Sequence, residues 1–270
     1  MITYVINLDH KTDRMARMQA LLGDAGLRYE RVAGVNGRAL SEADLAPWSA
    51  CHPEGPRILS PGEIGCLLSH REAWARIAAG DGPGVVVEDD IHLAHAAAPL
   101  LQDPTWLPAD ADLVKIETTG KSVQIGRESR SIGHGIDLAR LRSAHLGTAG
   151  YIVTPKAAQH LLETVRHADR ALDHVMFDPA SPLFAELTTY QTLPALCIQD
   201  QFMAKDRRLG LDGEIERAWA LNRQKRSLGQ KLHRELTRLG QQAAFAWQGS
   251  PLNPASDRRN LRIALAPDAR

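Results

Sequence analysis

The spacing of apolar residues changes repeatedly along the N-terminal third of the chain, and each change predicts a new element. The apolar run from Ile2 to Leu8 predicts a strand that ends in a polar turn. Met15, Met18 and Leu22 then recur at helical spacing. A second strand is predicted over residues 29–32, before turn-prone glycines. This order of elements is typical of a βαβ unit, in which a helix covers one face of a parallel sheet.

A second helix is predicted after residue 60, because its start carries three signals at once. Ser60 is a suitable N-cap, Pro61 lies in the first turn and Glu63 completes a capping box. A glycine–proline–glycine sequence ends this segment. The apolar run Val85–Val87 then predicts a buried strand, which leads directly into three consecutive acids at positions 88–90.

The later elements extend the same pattern. Strands are predicted at residues 113–117 and 151–153, and a helix after Pro155. This alternation predicts the α/β class, with a Rossmann-type domain over residues 1–212 whose central sheet is mostly parallel. From 213 to 270 leucines recur among dense charges, which predicts a C-terminal helical appendage with poorly ordered final residues.

The predicted appendage is strongly basic. Between positions 217 and 238 one acid, Glu235, stands against the basic residues Arg217, Arg223, Lys225, Arg226, Lys231, Arg234 and Arg238. Such a helix can bind an anionic membrane peripherally. The alternative, which we favour, is a helix that packs through its leucines and leaves its basic face to solvent.

Composition narrows the class of protein. The 270 residues carry a formal net charge of zero, which argues against a nucleic-acid partner. Cys51, Cys66 and Cys197 are widely separated and form no CxxC pair, so we expect a reducing compartment and no zinc framework. The sequence shows no basic leader and no apolar stretch of transmembrane length, so we expect a cytoplasmic protein.

The three acids after the valine strand are the main chemical feature. In a doubly wound sheet, ligands bind beyond the carboxyl ends of the strands, where Glu88, Asp89 and Asp90 are predicted to lie. Adjacent carboxylates repel one another unless a cation lies among them, and Mg²⁺ or Mn²⁺ prefers such oxygen ligands. Alternation along an extended chain allows Glu88 and Asp90 to point the same way and Asp89 the other way. The alternative is a solvated acidic turn, but the position after a buried strand favours a metal site.

Several segments together resemble glycosyltransferase family 25, which includes lipopolysaccharide-biosynthesis glycosyltransferases and collagen galactosyltransferases. They occur in the order found in that family and extend over residues 3 to 200. The segments are YVINLDHKTDRMARM, LSPGEIGCLLSHREAWARI, VVVEDD, DLVKIET, HLGTAGYIVTPKAAQHLL and, more loosely, ALDHVMFD and LPALCIQD.

The resemblance implies a GT-A-like fold and an inverting transfer of a sugar, usually galactose, from a UDP-sugar with Mn²⁺ (or Mg²⁺) as cofactor. The family's metal motif is usually written DxD, and Glu88 stands here at its first position. We expect Asp90 to contact the metal directly and Glu88 to contact it through water or the ribose. Asp89 is assigned to donor binding. The expected acceptor is a cell-surface glycan or lipopolysaccharide at the inner face of the membrane.

Four residues near the first two strands are further candidates for donor binding. Asn7 and Leu8 follow the first strand, where the base and ribose would lie. Arg14, in the first turn of a helix, is placed to neutralise diphosphate charge. Asn36 is placed to hydrogen-bond the uracil edge. The alternatives are a surface arginine for Arg14 and a simple turn residue for Asn36.

The catalytic base and one donor-binding loop are expected in the second half of the chain. An inverting transfer needs a base that accepts the proton of the acceptor hydroxyl. Asp173 matches an acid of the family's later motif, and Asp178 and Glu117 are the alternatives. His145 and Thr148 flank a glycine-rich turn that allows close approach of backbone to a sugar, so both are assigned to donor binding.

Other polar residues and other functions remain open at this stage. For Ser69 and His70, on the second predicted helix, we favour packing roles, whereas Gln199 and Asp200 are candidates for the same cleft. Two other functions compete with glycosyl transfer. One is a catalytically silent nucleotide-sugar-binding scaffold, and the other is a metal-dependent phosphohydrolase or nucleotidyltransferase, which would also use clustered acids.

Overall fold

The computed structural model describes residues 1–51, 57–211, 240, 242–253 and 255–269. The strands are β1 Ile2–Leu8, β2 Tyr29–Gly34, β3 Gly84–Glu88, β4 Ile91–Leu93, β5 Leu113–Lys115, β6 Glu117–Thr118, β7 Ser122–Ser131, β8 Asp137–Leu141, β9 Gly150–Val153, β10 Thr189–Leu193, β11 Cys197–Gln199 and β12 Arg258–Arg262. The α-helices are α1 Thr12–Asp24, α2 Glu42–Leu45, α3 Pro61–Ala78, α4 Ala97–Gln102, α5 Pro155–Thr164, α6 Leu172–Phe177 and α7 Pro182–Glu186, and residues 242–248 are also helical. The molecule is a mixed α/β fold.

The central sheet has nine strands in the order β12-β7-β8-β10-β5-β9-β3-β1-β2. The prediction of a mostly parallel sheet is wrong. In the described residues, β1 pairs in parallel with β2 and β3, and β10 with β5, whereas the other five pairings of this sheet are antiparallel. The βαβ order at the N-terminus does give the parallel arrangement that it predicts.

The antiparallel character comes largely from β9. This strand lies between β3 and β5 and runs antiparallel to both, with Val86 opposite Tyr151 and Val114 opposite Ile152. A short apolar strand with both faces buried carries no sequence signal for its direction, because its hydrophobic pattern is the same read either way.

Helices cover both faces of the β1 and β3 region. Side chains alternate between the faces, so Val5 and Val87 lie in one core cluster with α1 and α4, and Tyr4 and Val86 lie in another with α3 and α5. Trp74 of α3 is fully buried in the second cluster. This packing fixes the carboxyl ends of β1, β2 and β3 at one edge of the sheet.

The C-terminal segment is only partly the helical appendage that the sequence predicts. Residues 258–262 form β12, which pairs antiparallel with β7 at the edge of the central sheet. Ile263, Ala266 and Ala269 are buried, so these residues near the C-terminus pack against the rest of the fold. The basic stretch between positions 217 and 238 lies outside the described residues. Within the described part of the chain, no helix has both the length and the apolar character required to cross a membrane.

Candidate functional site

A cleft of about 270 Å³ opens at the carboxyl ends of β1, β2 and β3. The carboxyl ends of parallel strands, such as these three, are where the sequence predicts ligand binding. The start of α3 borders it, and the predicted capping box between Ser60 and Glu63 is present there. The residues that line the cleft include Leu8, Lys11, Arg14, Asn36, Arg38, Cys66, His70, Glu88, Asp89, Asp90, Thr148, Asp173 and Gln199.

Glu88 and Asp90 share a partner across the cleft. The Gln199 amide donates to Glu88 Oε2 at 3.1 Å and to both carboxylate oxygens of Asp90 at 3.4 Å. The Thr148 hydroxyl donates to Glu88 Oε1 at 3.0 Å. β11 is the middle strand of a second sheet, in the order β4-β11-β6, and it ends at Gln199, which brings this amide to the acids.

Asp89 turns away from this pair, as alternation along the chain allows. Its Oδ2 accepts a hydrogen bond from Asn7 Nδ2 at 2.7 Å, and its Oδ1 lies 3.3 Å from Arg14 Nη1. Asn7 is buried and does not line the main cleft, but its side-chain oxygen accepts from Arg31 Nε at 3.0 Å. Asn7 therefore holds Asp89 in place, and this contact does not itself reach a ligand in the cleft.

The surroundings lower the pKa of one of the three acids and raise the pKa of the other two. Burial acts to raise the pKa of Glu88, but the contacts with His70 and Thr148 outweigh it and the pKa is lowered. Burial, and then the charges of Glu88 and Asp89, raise the pKa of Asp90 to about 8. Burial also raises the pKa of Asp89, against the lowering effect of Asn7. Burial and the neighbouring carboxylates together thus disfavour the charged form of Asp90.

These residues fit a hard divalent cation. Asp90 is 3% exposed, and the hydrogen bonds that it accepts come from the neutral amide of Gln199. Carboxylate oxygens are the ligands that Mg²⁺ and Mn²⁺ prefer, and a cation would offset both the burial and the repulsion by Glu88 and Asp89 that raise the pKa of Asp90. Glu88 and Asp90 are the residues that would hold the ion.

The three candidates for the catalytic base lie in different surroundings. Asp173, in the first turn of α6, lines the cleft. Asp178 accepts from the ring of His174 at 2.9 Å and caps a neighbouring turn. Glu117 is fully buried, and neither it nor Asp178 is among the residues lining the cleft. The geometry therefore favours Asp173.

Leu8, Arg14, Asn36 and Thr148 line the cleft, but His145 does not. His145 is 2% exposed, and its Nδ1 lies 2.8 Å from the side-chain oxygen of Gln191. Burial, and then the positive charge of Lys115, lower the pKa of His145 to about 3, so the ring is neutral.

A buried ion pair supports the loop that carries Thr148. Lys115 Nζ donates to Glu117 Oε1 at 2.7 Å and to the carbonyl oxygen of Gly147 at 2.5 Å. The same Glu117 oxygen accepts from the backbone N–H of Ala149 at 3.0 Å. Glu117 and Lys115 thus hold the backbone on both sides of Thr148, and Glu117 acts on the site indirectly.

Gln199, the last residue of β11, and Asp200, which follows the strand, differ in role. Gln199 lines the cleft, whereas Asp200 is buried and accepts from the backbone N–H groups of Leu209 and Leu211 and from His92. Burial acts to raise the pKa of Asp200, but these hydrogen bonds lower it to about 2. Asp200 therefore anchors the segment up to residue 211.

Sequence reasoning missed some residues of the cleft. Lys11 and Arg38 also line the cleft and add positive charge to it, and the signal for both was only their position after β1 and β2. His70, for which we favoured a packing role, is buried and also borders the cleft, with Nε2 3.5 Å from Glu88 Oε1. Cys66 lies one helical turn before His70 on the same side of α3.

Comparisons with known proteins show which family this chain is similar to. Residues 1–176 match the family described as glycosyltransferase family 25 (LPS biosynthesis protein). The lacto-N-neotetraose biosynthesis glycosyltransferase LgtB of Neisseria gonorrhoeae is 30% identical over 265 residues, which cover 90% of this chain and 93% of LgtB. Procollagen galactosyltransferase 2 of Mus musculus is 27% identical over 170 residues, 59% of this chain and 27% of that protein.

A solved structure of the inositol-1-phosphate CTP transferase from T. maritima covers 76% of this chain and 73% of its own, with 12% identity and a TM-score of 0.36. A likeness at this level supports no conclusion about the reaction.

Proposed function

Because the chain belongs to glycosyltransferase family 25, we propose that it is an inverting transferase of GT-A type that moves a sugar, galactose above all, from a UDP-sugar to a cell-surface glycan or lipopolysaccharide. The names of its relatives support glycosyl transfer, and two of them specify lacto-N-neotetraose biosynthesis and procollagen galactosylation. The observation that carries the proposal is one cleft that joins acids, cationic side chains and a separate carboxylate, Asp173.

The cleft offers the donor two kinds of contact. Lys11, Arg14 and Arg38 line it and supply positive charge for a diphosphate. Glu88 and Asp90 would hold Mn²⁺ or Mg²⁺. When bound, such an ion supplies Lewis-acid stabilisation of the negative charge that builds on the leaving diphosphate.

The residues of the chain place the acceptor and take its proton. In the transfer, the acceptor oxygen forms a bond to the anomeric carbon while the bond from that carbon to the diphosphate oxygen breaks. UDP leaves with the electron pair of that bond. Asp173 is the carboxylate that we assign to receive the hydroxyl proton, because it lines the cleft from the first turn of α6.

The proposal also includes the place in the cell where the reaction occurs. We place the protein in the cytoplasm, with its acceptor at the inner face of the membrane. A peripheral contact with anionic lipid would come from the basic stretch, which lies outside the described residues, so that contact rests on the sequence alone.

The products of the reaction test the proposal. Purified protein is incubated with each of several UDP-sugars and a truncated lipooligosaccharide, with and without Mn²⁺, and the nucleotide products are separated by chromatography. We expect intact UDP, galactosylated acceptor and dependence on Mn²⁺. UMP or pyrophosphate would instead indicate a phosphohydrolase or nucleotidyltransferase, and binding of UDP-sugar without any product would indicate a silent scaffold.

A further inference from the structure

A chain of buried polar groups runs from the core to Glu88. Trp74 Nε1 donates to the Tyr151 hydroxyl oxygen at 2.7 Å, and this hydroxyl lies 2.8 Å from His70 Nδ1. The other ring nitrogen of His70, Nε2, lies 3.5 Å from Glu88 Oε1. Trp74 and Tyr151 are fully buried and His70 is 1% exposed, so water does not compete for these contacts.

The direction of the first hydrogen bond limits the roles that the next groups can take. An indole N–H can only donate, so the Tyr151 oxygen is the acceptor from Trp74. The hydroxyl proton of Tyr151 then has His70 Nδ1 as its acceptor. If Nδ1 carried a proton instead, the buried hydroxyl would lose that acceptor, which costs about 1–3 kcal/mol. This contact therefore favours a proton on Nε2, the nitrogen that lies near Glu88.

The same reasoning argues against a metal site at this position. Cys66, His70 and Glu88 offer ligand atoms within 4.8 Å of one another. Ligation of a metal by Nε2 needs the lone pair on that nitrogen, and hence a proton on Nδ1. A proton on Nδ1 would remove the acceptor of the buried Tyr151 hydroxyl, which disfavours that tautomer.

We propose that the Trp74–Tyr151 pair fixes His70 as a hydrogen-bond donor toward Glu88, so that His70 is a positioning residue for the proposed transfer. Thr148 donates to the same oxygen of Glu88 and Gln199 to the other oxygen. His70 Nε2, which has no hydrogen-bond partner of ordinary geometry among the described residues, lies 3.5 Å from the oxygen that Thr148 contacts. This inference rests on the proposed function only for its effect on turnover. The assigned tautomer depends on the buried contacts alone.

Nitrogen NMR of the whole protein tests the tautomer without any activity. The protein is labelled with ¹⁵N-histidine, treated with chelator, and its long-range ¹H–¹⁵N spectrum is recorded at neutral pH, with His70 assigned from the signals missing in His70→Gln. We expect a protonated Nε2 and an unprotonated Nδ1. A protonated Nδ1 would overturn the proposal. A Zn²⁺-induced shift of Nε2 that disappears in Cys66→Ala would overturn it in favour of a metal site.

Two similar substitutions test the effect on turnover. The amide nitrogen of glutamine can occupy the place of Nε2, whereas the shorter asparagine places its amide near Nδ1. His70→Gln should therefore keep most of the transfer rate, and His70→Asn should lose about 10- to 100-fold in kcat, the range expected for one hydrogen bond to a charged group. Thermal melting checks that both variants are folded. Equal losses in two folded variants would contradict the positioning role.

Absence of any transfer in the wild-type protein, together with the expected tautomer, would overturn the proposed function and the turnover role that depends on it. The assignment of the His70 proton would stand.

Discussion

Removal of the buried charge of Lys115 should destabilise the protein severely. Lys115 is fully buried, donates to Glu117 and Gly147, and lies 4.0 Å from the centre of the Phe177 ring. Lys115→Met keeps the length of the side chain but leaves Glu117 without its cation. Breaking one partner of a buried ion pair typically costs about 3–5 kcal/mol, because the remaining charge is uncompensated. We expect a loss of unfolding free energy in this range.

The pH dependence of the loss should identify its cause. Burial raises the pKa of Glu117 more than Lys115 lowers it, so the folded protein binds a proton more readily than the unfolded chain. Stability linked to this group therefore falls as pH rises above the ordinary glutamate value of about 4.3. Without Lys115 the pKa of Glu117 rises further, so the deficit of Lys115→Met should be larger at pH 8 than at pH 5.

Urea unfolding followed by circular dichroism measures both effects. The double variant Lys115→Met/Glu117→Gln should regain part of the lost stability, because no charge then remains buried there. Lys121→Met, at an exposed position, is the matched control and should change little. A loss below about 1 kcal/mol in Lys115→Met, the median for a surface pair, would refute the buried-pair reasoning.

Three further changes test other parts of the account. Asp173→Asn should lower turnover by roughly 10²–10⁴-fold with donor binding retained in calorimetry, and Asp178→Asn is its control; a fall only in the control would move the base. Asp200→Asn should lower the free energy of unfolding at pH 7. In urea unfolding, the difference from the wild type should shrink as pH falls from about 4 towards 2, because the wild-type carboxylate loses its stabilising charge there. A difference that does not change with pH would contradict this. Gly37→Ala would place a Cβ 1.7 Å from a backbone carbonyl oxygen and should lower the free energy of unfolding, measured by thermal unfolding, by about 1–3 kcal/mol. Gly82→Ala, with nothing within 4 Å of the added Cβ, should change stability little. Equal losses in the two variants would contradict the predicted clash.

Much of the first half of the fold followed from local patterns. The helical spacing of Met15, Met18 and Leu22 predicted α1, and all three are buried. The capping-box signal gave the start of α3, and the valine run gave β3 with the acids at its carboxyl end. These features are local, so a single sequence contains the information that specifies them.

The rest depends on contacts between distant segments. The antiparallel insertion of β9 and the edge position of β12 follow from tertiary pairing, and their short sequences do not encode direction or partner. In the site, Asn7 meets Asp89 across 82 positions and Gln199 meets Glu88 across 111. Sequence reasoning identified the acids and named Asn7 and Gln199 as candidates, but it could not predict that these two amides hydrogen-bond the acids.

The metal-dependent binding of the donor nucleotide is the central claim, and one calorimetric measurement tests it directly. UDP is titrated into chelator-treated protein, with and without Mn²⁺, for the wild type and for Asp90→Asn. We predict that the wild type binds UDP appreciably more tightly with Mn²⁺, and that Asp90→Asn remains folded but loses this gain. Equal Mn²⁺-dependent binding in both proteins, or binding of UDP that is indifferent to Mn²⁺ in the wild type, would contradict the account.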